Sequence, residues 1–540
     1  MIAPWWKTGV IYQIYLRSFR DADGDGIGDL KGILDKMAHF DETLGVQAVW
    51  ITPFFPSPMN DFGYDVRNYT DVDPLFGDLA TFEKLVSAAH RRGIKVIIDF
   101  ICNHTSDQHP WFLDSRSARD NARRNWYVWA DPRPDGTPPN NWLSLFGGSA
   151  WEWDQKTGQY YLHSFFREQP DLNWRSPEVR AAMLDVLRFW IDRGVDGFRI
   201  NNVQRLMKDP GLRDNPVSAV QHRPRRSMGP YHMQSHRHDR GHADLHPLLA
   251  EMRTVLDTHR PGFPRLAIGE VHARDPEQWA TFFGPDNDEL HLPLNYSLIT
   301  TPWNARAVRR AVDRTEAALP DGAWPTYVLG NHDEHRLASR VGAAQARVAA
   351  MLLLTLRGTP TIYYGDEIGM TETDVPVQCQ QDPWGVRMVG LGRDGCRTPM
   401  QWSDKPNGGF SGCEAQQLWL PVNDNHPVCN VSAQLKVSDS MLALYRKLLF
   451  MRKNSPALQL GDYRPLDRVP KDCFAFRRVH EEEEFLIALN FGDSEMTVDL
   501  AGAISGGKTL ISTHPLKEMY RVDDALHLRG NEGLVVKVAR

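Results

Sequence analysis

The chain has 540 residues, of which 41% are hydrophobic and 24% are charged, and its formal net charge is −6. These values are typical of globular proteins and exclude a disordered, collagen-like or disulfide-scaffold chain. The charge balance predicts no basic surface for nucleic acid, and the longest apolar run, Val348–Leu356, is far shorter than the roughly 20 residues that span a bilayer. Without a signal-peptide core or a paired-cysteine spacing, we expect a cytoplasmic protein of several domains, either a monomer or a homodimer.

Short apolar runs alternate with helical patterns along most of the chain. Eight runs are predicted to be strands: Val10–Tyr15, Ala48–Pro53, Lys95–Ile101, Gly197–Asn201, Arg265–Glu270, Glu289–Tyr296, Pro325–Asn331 and Pro360–Glu367. Apolar residues at helical spacing predict helices over Leu30–Leu44, Thr81–Arg92, Glu178–Arg193, Leu245–Thr258, Ala305–Ala317, Ala344–Leu356 and Met441–Arg452. Apolar strands joined by helices are typical of a parallel sheet, and eight such units predict an α/β fold, the (β/α)8 TIM barrel.

Two segments interrupt this alternation. Residues 104–175 follow the third strand, are rich in Trp, Pro, Asn and Gly, and are too long for a simple loop. We therefore predict a barrel formed by residues 1–103 and 176–457, with a small inserted domain over residues 104–175. Alternating patterns in Cys473–Val479, Phe485–Asn490 and Gly533–Ala539 predict a C-terminal antiparallel β-domain over residues 458–540.

Polar residues stand at the ends of four predicted strands. In a barrel of this kind, catalytic groups lie where the strands end, at the carboxyl face. The third strand is followed by Asn103 and His104, the fourth contains Arg199 and ends at Asn201, the fifth ends at Glu270, and the seventh leads into His332 and Asp333. Several polar groups that converge at one end of apolar strands predict a solvated functional site.

These residues also carry a resemblance to a known family. The chain resembles glycoside hydrolase family 13, the α-amylase family, from Gly9-Val-Ile-Tyr-Gln-Ile-Tyr15 through Arg397-Thr-Pro-Met-Gln-Trp402. The stretch Gln169-Pro-Asp-Leu-Asn173 is similar to the α-glucosidase and oligo-1,6-glucosidase branch. The resemblance implies retaining hydrolysis or transfer of an α-glucosyl group, which needs two carboxyl groups about 5–5.5 Å apart.

The resemblance assigns a role to each site residue. It implies that Glu270 is the acid/base, with a raised pKa, and that Asp333 stabilises the transition state. The substrate-binding residues that it implies are Asp61, Tyr64, His104, Phe146, Phe165, Arg199, His332 and Arg397. Among them, Asp61 and Arg397 would pair to close the pocket around a terminal glucose. Arg393 would either share that role or form a surface salt bridge.

Asn201 departs from the family pattern because it stands at the position of the nucleophilic aspartate. An amide is a much poorer nucleophile than a carboxylate, and removal of a covalent nucleophile has cost on the order of 10⁶ in kcat in a well-studied protease. The chain as written is therefore expected to be nearly inert. A natural pseudoenzyme and a deliberate Asp-to-Asn replacement both explain Asn201, and we favour the replacement because the other site residues are present.

An acidic loop follows the first predicted strand. Carboxylates at alternate positions with glycines between them can wrap a hard cation, although the loop lacks the glutamate that completes an EF-hand. The resemblance implies a structural Ca²⁺ site, with Mg²⁺ as the second choice, whose ligands are Asp21, Asp23, Asp25, the Ile27 carbonyl and Asp29. The alternative is a solvated acidic turn. The histidine-rich stretch His222–His246 is interpreted as a flexible loop over the pocket mouth rather than a transition-metal site.

The leading hypothesis is a retaining, exo-acting α-glucosidase for small α-glucosides such as maltose, sucrose or isomaltose, with transglucosylation. A sucrose isomerase or a trehalose-forming glucosyl transferase remains an alternative within the same mechanism. The Arg-Leu-Asp-Arg-Asp stretch associated with sucrose isomerases is missing, since the chain reads Gly392-Arg-Asp-Gly-Cys396 before Arg397. A soluble, non-catalytic sugar-binding pseudoenzyme is the alternative from another class of protein, and Asn201 keeps it open.

Overall fold

The computed structural model describes residues 3–218, 229–273, 275–388, 390–515 and 519–539. Its central sheet has eight parallel strands: Ile11–Ile14, Ala48–Ile51, Lys95–Phe100, Gly197–Ile200, Leu266–Gly269, Leu292–Pro293, Thr326–Val328 and Thr359–Tyr363. The first strand pairs with both the second and the eighth. Within the described ranges, the sixth and seventh strands are the only consecutive strands that do not pair with each other. The sheet is a nearly closed barrel, which confirms the predicted (β/α)8 fold.

The strands are apolar throughout because both faces of the sheet are buried. Ile11, Trp50 and Ile268 belong to a cluster inside the barrel, whereas the alternate residues Tyr12 and Ile98 belong to the large core under the helices. This two-sided burial is the physical reason for the uninterrupted hydrophobic runs.

Six long helices lie close to their predicted bounds: Leu79–Arg91, Pro177–Asp192, Leu245–Thr258, Ala305–Ala318, Ala343–Thr355 and Met441–Lys453. Asp78, Ser176 and Asn304 cap three of them by accepting a backbone N–H in the first turn. Shorter helices occupy Trp5–Thr8, Pro110–Ser115, Pro276–Ala280, Ser297–Thr300, Leu337–Val341, Pro383–Arg387, Val431–Gln434 and Pro456–Leu460.

The single helix predicted over Leu30–Leu44 is wrong in one respect, because the structure divides it into an α-helix, Leu30–Asp35, and a π-helix, His39–Leu44. The wider π-turn buries both His39 and the adjacent Phe40. Within the core, His39 Nε2 lies 2.9 Å from the buried Glu367 Oε1, and this pairing accounts for the departure from regular helix.

Among the described residues, three antiparallel sheets accompany the barrel. Trp129–Ala130, Trp151–Asp154 and Gln159–Leu162 form a small sheet within the predicted insertion. After residue 458, Asp462–Pro465, Cys473–Val479, Glu484–Asn490, Gly533–Val538, Gly507–Ser512 and Arg521–Val522 form a six-stranded sheet, and Met496–Asp499 pairs with Ala525–Leu528. The C-terminal antiparallel β-domain is therefore confirmed, while the residue boundaries of the domains stay predictions. Of the helices in the described ranges, none has the length and apolar character to cross a bilayer.

Candidate active site

The predicted strand-end residues converge at the carboxyl end of the barrel. Asp99 on the third strand is in register with Arg199 on the fourth, and the Arg199 Nη1 donates to Asp99 Oδ1 over 2.9 Å. Trp50, inside the barrel, contacts the same carboxylate, because its indole N–H donates to Asp99 Oδ2 over 3.2 Å. The hydrogen bonding between the fourth and fifth strands extends one residue beyond the fifth strand, since the Glu270 N–H donates to the Ile200 carbonyl. The fourth and fifth strands therefore end side by side and bring Asn201 and Glu270 together.

Four donors surround the Glu270 carboxylate. Its Oε2 accepts from Arg199 Nη2, Asn201 Nδ2 and the Asn202 N–H, each at 2.9 Å, and its Oε1 lies 3.0 Å from His272 Nε2. Burial acts to raise the pKa of Glu270, but the Arg199 guanidinium and then His272 outweigh it and lower the pKa to about 2. The raised pKa expected for the acid/base is not found in this chain, because Arg199 and His272 contact the carboxylate directly.

Asn201 is buried and both ends of its amide are occupied. Its Nδ2 donates to Glu270 Oε2, and its Oδ1 accepts from Asn202 Nδ2 over 2.7 Å. Asn202 takes the left-handed conformation, with φ of 49°, which asparagine tolerates better than most residues. The two groups that should flank the reacting carbon are therefore joined by a hydrogen bond.

Asp333 lies in a cationic environment. Its Oδ1 accepts from Arg393 Nη1 and Arg397 Nη2, each over 3.0 Å, and its Oδ2 lies 3.2 Å from His332 Nε2. Burial opposes ionisation, but His332, Arg393 and Arg397 together hold the pKa of Asp333 well below its ordinary range. These contacts favour the ionised form of Asp333.

His332 is a neutral hydrogen-bonding group. Burial lowers its pKa to about 3, Gln13 Nε2 donates to its Nδ1 over 3.0 Å, and its Nε2 lies 2.9 Å from the Tyr64 hydroxyl. The Tyr64 ring stacks on the His332 ring with centroids 5.6 Å apart and planes 10° apart. The structure thus brings these two sequence-predicted residues into one wall beside Asp333.

The predicted pairing of Asp61 with Arg397 is not found. Asp61 Oδ1 instead lies 3.1 Å from Arg393 Nη2, while Arg397 donates from Nε to the His332 carbonyl over 2.7 Å and binds Asp333. Arg393 is 6% exposed, so it is no surface salt bridge. Its guanidinium also binds Asp382 through two contacts of 2.9 Å, and three carboxylates therefore share one buried arginine.

Aromatic rings complete the wall. Phe165 lies 5.1 Å from the His104 ring and 5.5 Å from Phe146, and the Arg393 guanidinium stacks over both Phe146 and Trp384 at 5.5 Å. His104 Nε2 donates to the Tyr64 carbonyl over 3.0 Å, and burial lowers the pKa of His104 to about 4. The site is a partly apolar cluster of aromatic rings with carboxylates, amides and neutral imidazoles, a combination that suits the two faces of a sugar ring.

Comparison with known proteins agrees with this geometry. A family model described as the α-amylase catalytic domain matches residues 13–461. The chain belongs to the α-amylase family. A probable α-glucosidase of Rhizobium meliloti (strain 1021) is 43% identical over 513 residues, which cover 92% of this chain and 91% of the relative.

Solved structures of the α-amylase family have the same fold over the whole chain. An α-glucosyl transfer enzyme, XgtA, is 41% identical with a TM-score of 0.93, and the match covers 100% of both chains. The trehalulose synthase MutB from Pseudomonas mesoacidophila is 34% identical with a TM-score of 0.89, again over 100% of both chains. The resemblance to the α-glucosidase branch is therefore confirmed.

The acidic loop that the family resemblance singles out has the chemistry of a hard-cation site. Carboxylate oxygens of Asp21, Asp23 and Asp29 lie within 4.8 Å of one another, and they form the only such group in the described part of the chain. Asp25 is not part of that group, and its Oδ1 accepts the Ile27 N–H over 2.8 Å. Three convergent carboxylates fit an oxygen-seeking divalent cation.

The histidine-rich stretch contributes no metal cluster within the residues described. His222 lies outside those residues. His236 contacts Asp239 Oδ2 at 2.8 Å and the Tyr231 carbonyl at 2.7 Å, so both its ring nitrogens have protein partners. His246 contacts Glu289 at 2.9 Å. The interpretation of this stretch as a flexible loop over the pocket mouth stays a prediction.

Sequence reasoning missed several residues of the site, among them Asp382, Gln169 and His272. Asp382 binds Arg393, Gln169 Nε2 donates to Asp61 Oδ2 over 3.1 Å, and His272 contacts Glu270. The sequence could have indicated two of them: Gln169 belongs to the stretch that carries the family resemblance, and His272 follows the predicted acid/base, Glu270, by two residues. Asp382 had no such indication, because no pattern relates it to an arginine eleven residues later.

Proposed function

We propose that this member of the α-amylase family has the pocket of a retaining, exo-acting α-glucosidase for small α-glucosides such as maltose, sucrose and isomaltose. The observation that supports this most is the buried Arg393, held by Asp61, Asp333 and Asp382. A wall of paired charges admits the end of a chain but not its middle. The chain as written would bind a terminal glucosyl unit and turn it over extremely slowly.

Each residue would have one chemical task. Asp333, as a carboxylate, would bind ring hydroxyls and favour the oxocarbenium-like transition state, and His332 and His104 would be hydrogen-bond partners of the same glucose. Glu270 would protonate the departing oxygen and later deprotonate the incoming water or sugar. Arg199, which bridges Asp99 and Glu270, would orient the carboxyl groups at the fourth and fifth strand ends. Asn201 cannot supply the covalent step, since an amide does not form the glycosyl-ester intermediate.

We extend the proposal to transglucosylation, because XgtA is named as an α-glucosyl transfer enzyme and is 41% identical to this chain. Two alternatives retain support. MutB, a trehalulose synthase, has the same fold, so sucrose isomerisation is one. Asn201 favours the other, a sugar-binding pseudoenzyme. A cytoplasmic location and the oligomeric state stay predictions.

The test is glucose release by the Asn201→Asp variant from maltose, sucrose, isomaltose and a nitrophenyl α-glucoside. A maltooligosaccharide with a blocked non-reducing end is the matched control. We expect cleavage of the unblocked substrates and none of the blocked one, while the unchanged chain binds maltose in calorimetry without releasing glucose. Equal cleavage of the blocked substrate would refute exo-action. Trehalulose or isomaltulose formed from sucrose would favour the isomerase, and silence on every substrate by a folded variant would favour the pseudoenzyme.

We also propose that the acidic loop binds Ca²⁺ with Asp21, Asp23 and Asp29 as carboxylate ligands. A ligand that binds only the folded state at 100 times its dissociation constant stabilises it by about 2.7 kcal/mol. Calcium should therefore raise the unfolding temperature, and chelation should lower it. Asp23→Asn should abolish the response, whereas Asp25→Asn, outside the three-carboxylate group, should weaken it less. An unfolding temperature that does not depend on calcium contradicts the site, and an equal response to Mg²⁺ reassigns the ion.

A further inference from the structure

The turn that carries Asp61 has a strained backbone. It covers residues 61–64 and is closed by a hydrogen bond of 3.1 Å from the Tyr64 N–H to the Asp61 carbonyl. Its two central residues have positive φ, 50° at Phe62 and 102° at Gly63. Met59, two residues before the turn, also has a positive φ of 64°. Such angles are unfavourable for Phe and Met and persist only where the surrounding structure holds them. The conformation of this segment therefore depends on contacts from outside the turn.

Asp65 supplies contacts to the start of the turn. Its side chain is fully buried, and its Oδ1 accepts from the Ser57 hydroxyl over 2.8 Å and from the Asp61 N–H over 3.0 Å. Its Oδ2 accepts the Asn60 N–H over 2.8 Å. Three donors from residues 57–61 thus converge on one carboxylate, and two of them are consecutive backbone groups that end at Asp61.

These donors explain why the residue at position 65 is an aspartate. A carboxylate accepts hydrogen bonds at both oxygens, whereas an amide has a donor in place of one of them. Asparagine at this position has nearly the same shape, but its amide nitrogen would face either the Asn60 N–H or the donors from Ser57 and Asp61. At least one buried donor would then be left unpaired, which is costly.

Asp61 connects Asp65 with the wall of the pocket. Its backbone N–H is held by Asp65, while its carboxylate lies 3.1 Å from Arg393 Nη2 and accepts from Gln169 Nε2 over 3.1 Å. The turn ends at Tyr64, which belongs to the wall beside Asp333. The position of the backbone at Asp61 therefore determines where its carboxylate meets Arg393.

We propose that Asp65 is a positioning residue that acts through Asp61: it fixes the backbone from which the Asp61 carboxylate reaches Arg393 in the wall that receives the terminal glucose. This inference rests on the proposed α-glucosidase function. The wall would contact the end of the substrate rather than the bond that breaks, so it contributes equally to binding of the substrate and of the transition state. Loss of such uniform binding raises KM and leaves kcat largely unchanged.

The first test compares Asp65→Asn with Asp196→Asn in the Asn201→Asp background. Asp196 is a matched control because it is also buried, accepts the Val96 N–H over 3.0 Å and binds Lys95 at 3.0 Å. It precedes the fourth strand, however, and so lies at the end of the barrel away from the site. Asp65→Asn should raise KM for maltose about tenfold, the effect expected of one unpaired buried donor, with a smaller fall in kcat. Asp196→Asn should lower the unfolding temperature without changing KM.

A double-mutant cycle tests whether Asp65 acts through Asp61. Once Asp61→Asn has weakened the contact with Arg393, addition of Asp65→Asn should raise KM little further. Effects on KM that multiply independently, an unchanged KM, or a loss confined to kcat would overturn the proposal. If Asp65→Asn does not fold, Ser57→Ala takes its place, because it removes only the hydroxyl donor. It should raise KM by a smaller factor, and an unchanged KM would again overturn the proposal.

A second measurement does not depend on turnover. Hydrogen exchange of the unchanged chain, followed by mass spectrometry on peptides over residues 57–65, should show protected amides at Asn60 and Asp61. Asp65→Asn should accelerate their exchange about tenfold, and Asp196→Asn should not. Equal exchange would overturn the role of Asp65 whether or not the Asn201→Asp variant is active. Faster exchange together with an inactive Asn201→Asp variant would support the hold of Asp65 on the turn and count against the proposed function alone.

Discussion

The Asn201→Asp variant is expected to hydrolyse a nitrophenyl α-glucoside with a kcat on the order of 10⁶ times that of the unchanged chain, the loss found on removal of a covalent nucleophile. The replacement is isosteric, so the backbone geometry at the end of the fourth strand should be retained. A carboxylate can attack C1 and leave again from a glycosyl ester, whereas an amide can do neither efficiently. The measurement is initial-rate release of nitrophenol.

A second effect acts in the same direction. Asn201 now donates to Glu270 Oε2, and Arg199 together with His272 lowers the pKa of Glu270 to about 2. Aspartate at position 201 would replace that donor with a negative charge and compete for Arg199, so the pKa of Glu270 should rise. Since acid catalysis needs protonated Glu270, activity is lost as the pH rises through this pKa. A higher pKa therefore extends the active range toward neutral pH.

The control is the double variant Asn201→Asp/Glu270→Gln. It has the nucleophile but no acid, and its kcat for maltose should be lower by about 10²–10⁴ than that of Asn201→Asp. With a nitrophenyl substrate the first step needs less acid assistance, so a burst of nitrophenol should precede slow turnover. A gain of less than about tenfold for Asn201→Asp would show that the pocket is not arranged for retaining catalysis.

The barrel could be predicted because each strand is buried on both faces, which produces a hydrophobic run that stands out from helical spacing. The sixth and seventh strands are shorter than predicted, Leu292–Pro293 and Thr326–Val328. In the sixth, Pro293 offers no N–H to a ladder and Asn295 caps the next turn by accepting the Ser297 N–H. These local effects limit a strand without altering its hydrophobic pattern.

Residues that follow barrel strands were predictable for the same reason. Strand order and direction bring Arg199, Asn201, Glu270 and Asp333 to one end of the barrel, whatever the loops do. The partner of Asp61 was not predictable, because Arg393 and Arg397 lie four residues apart on one irregular loop and only its path selects between them. The pKa of Glu270 depends on contacts of about 3 Å, which residue types alone do not fix.

Asp382→Asn is expected to give the largest loss of stability at the site. Asp382 is fully buried and binds Arg393 through Nε and Nη2, and its carboxylate also accepts the Arg393 and Trp384 N–H groups. Removing one partner of a buried, hydrogen-bonded ion pair typically costs about 3–5 kcal/mol. In the Asn201→Asp background the freed Arg393 should also raise KM for maltose more than it lowers kcat, since the pocket wall loosens.

The pH dependence of this loss has a definite sign. Burial raises the pKa of Asp382, but Arg393 outweighs burial and holds this pKa well below its ordinary range. The ion pair therefore stabilises the fold above the unfolded-state pKa of about 3.9. The difference in stability between the chain and Asp382→Asn should be full near neutral pH and diminish as the pH falls below that value. A double-mutant cycle measures this coupling from the free energies of unfolding in urea. It compares the unchanged chain with Asp382→Asn, Arg393→Gln and the double variant. A coupling energy near zero would show that the two side chains are held independently, and the pocket wall would then need another support.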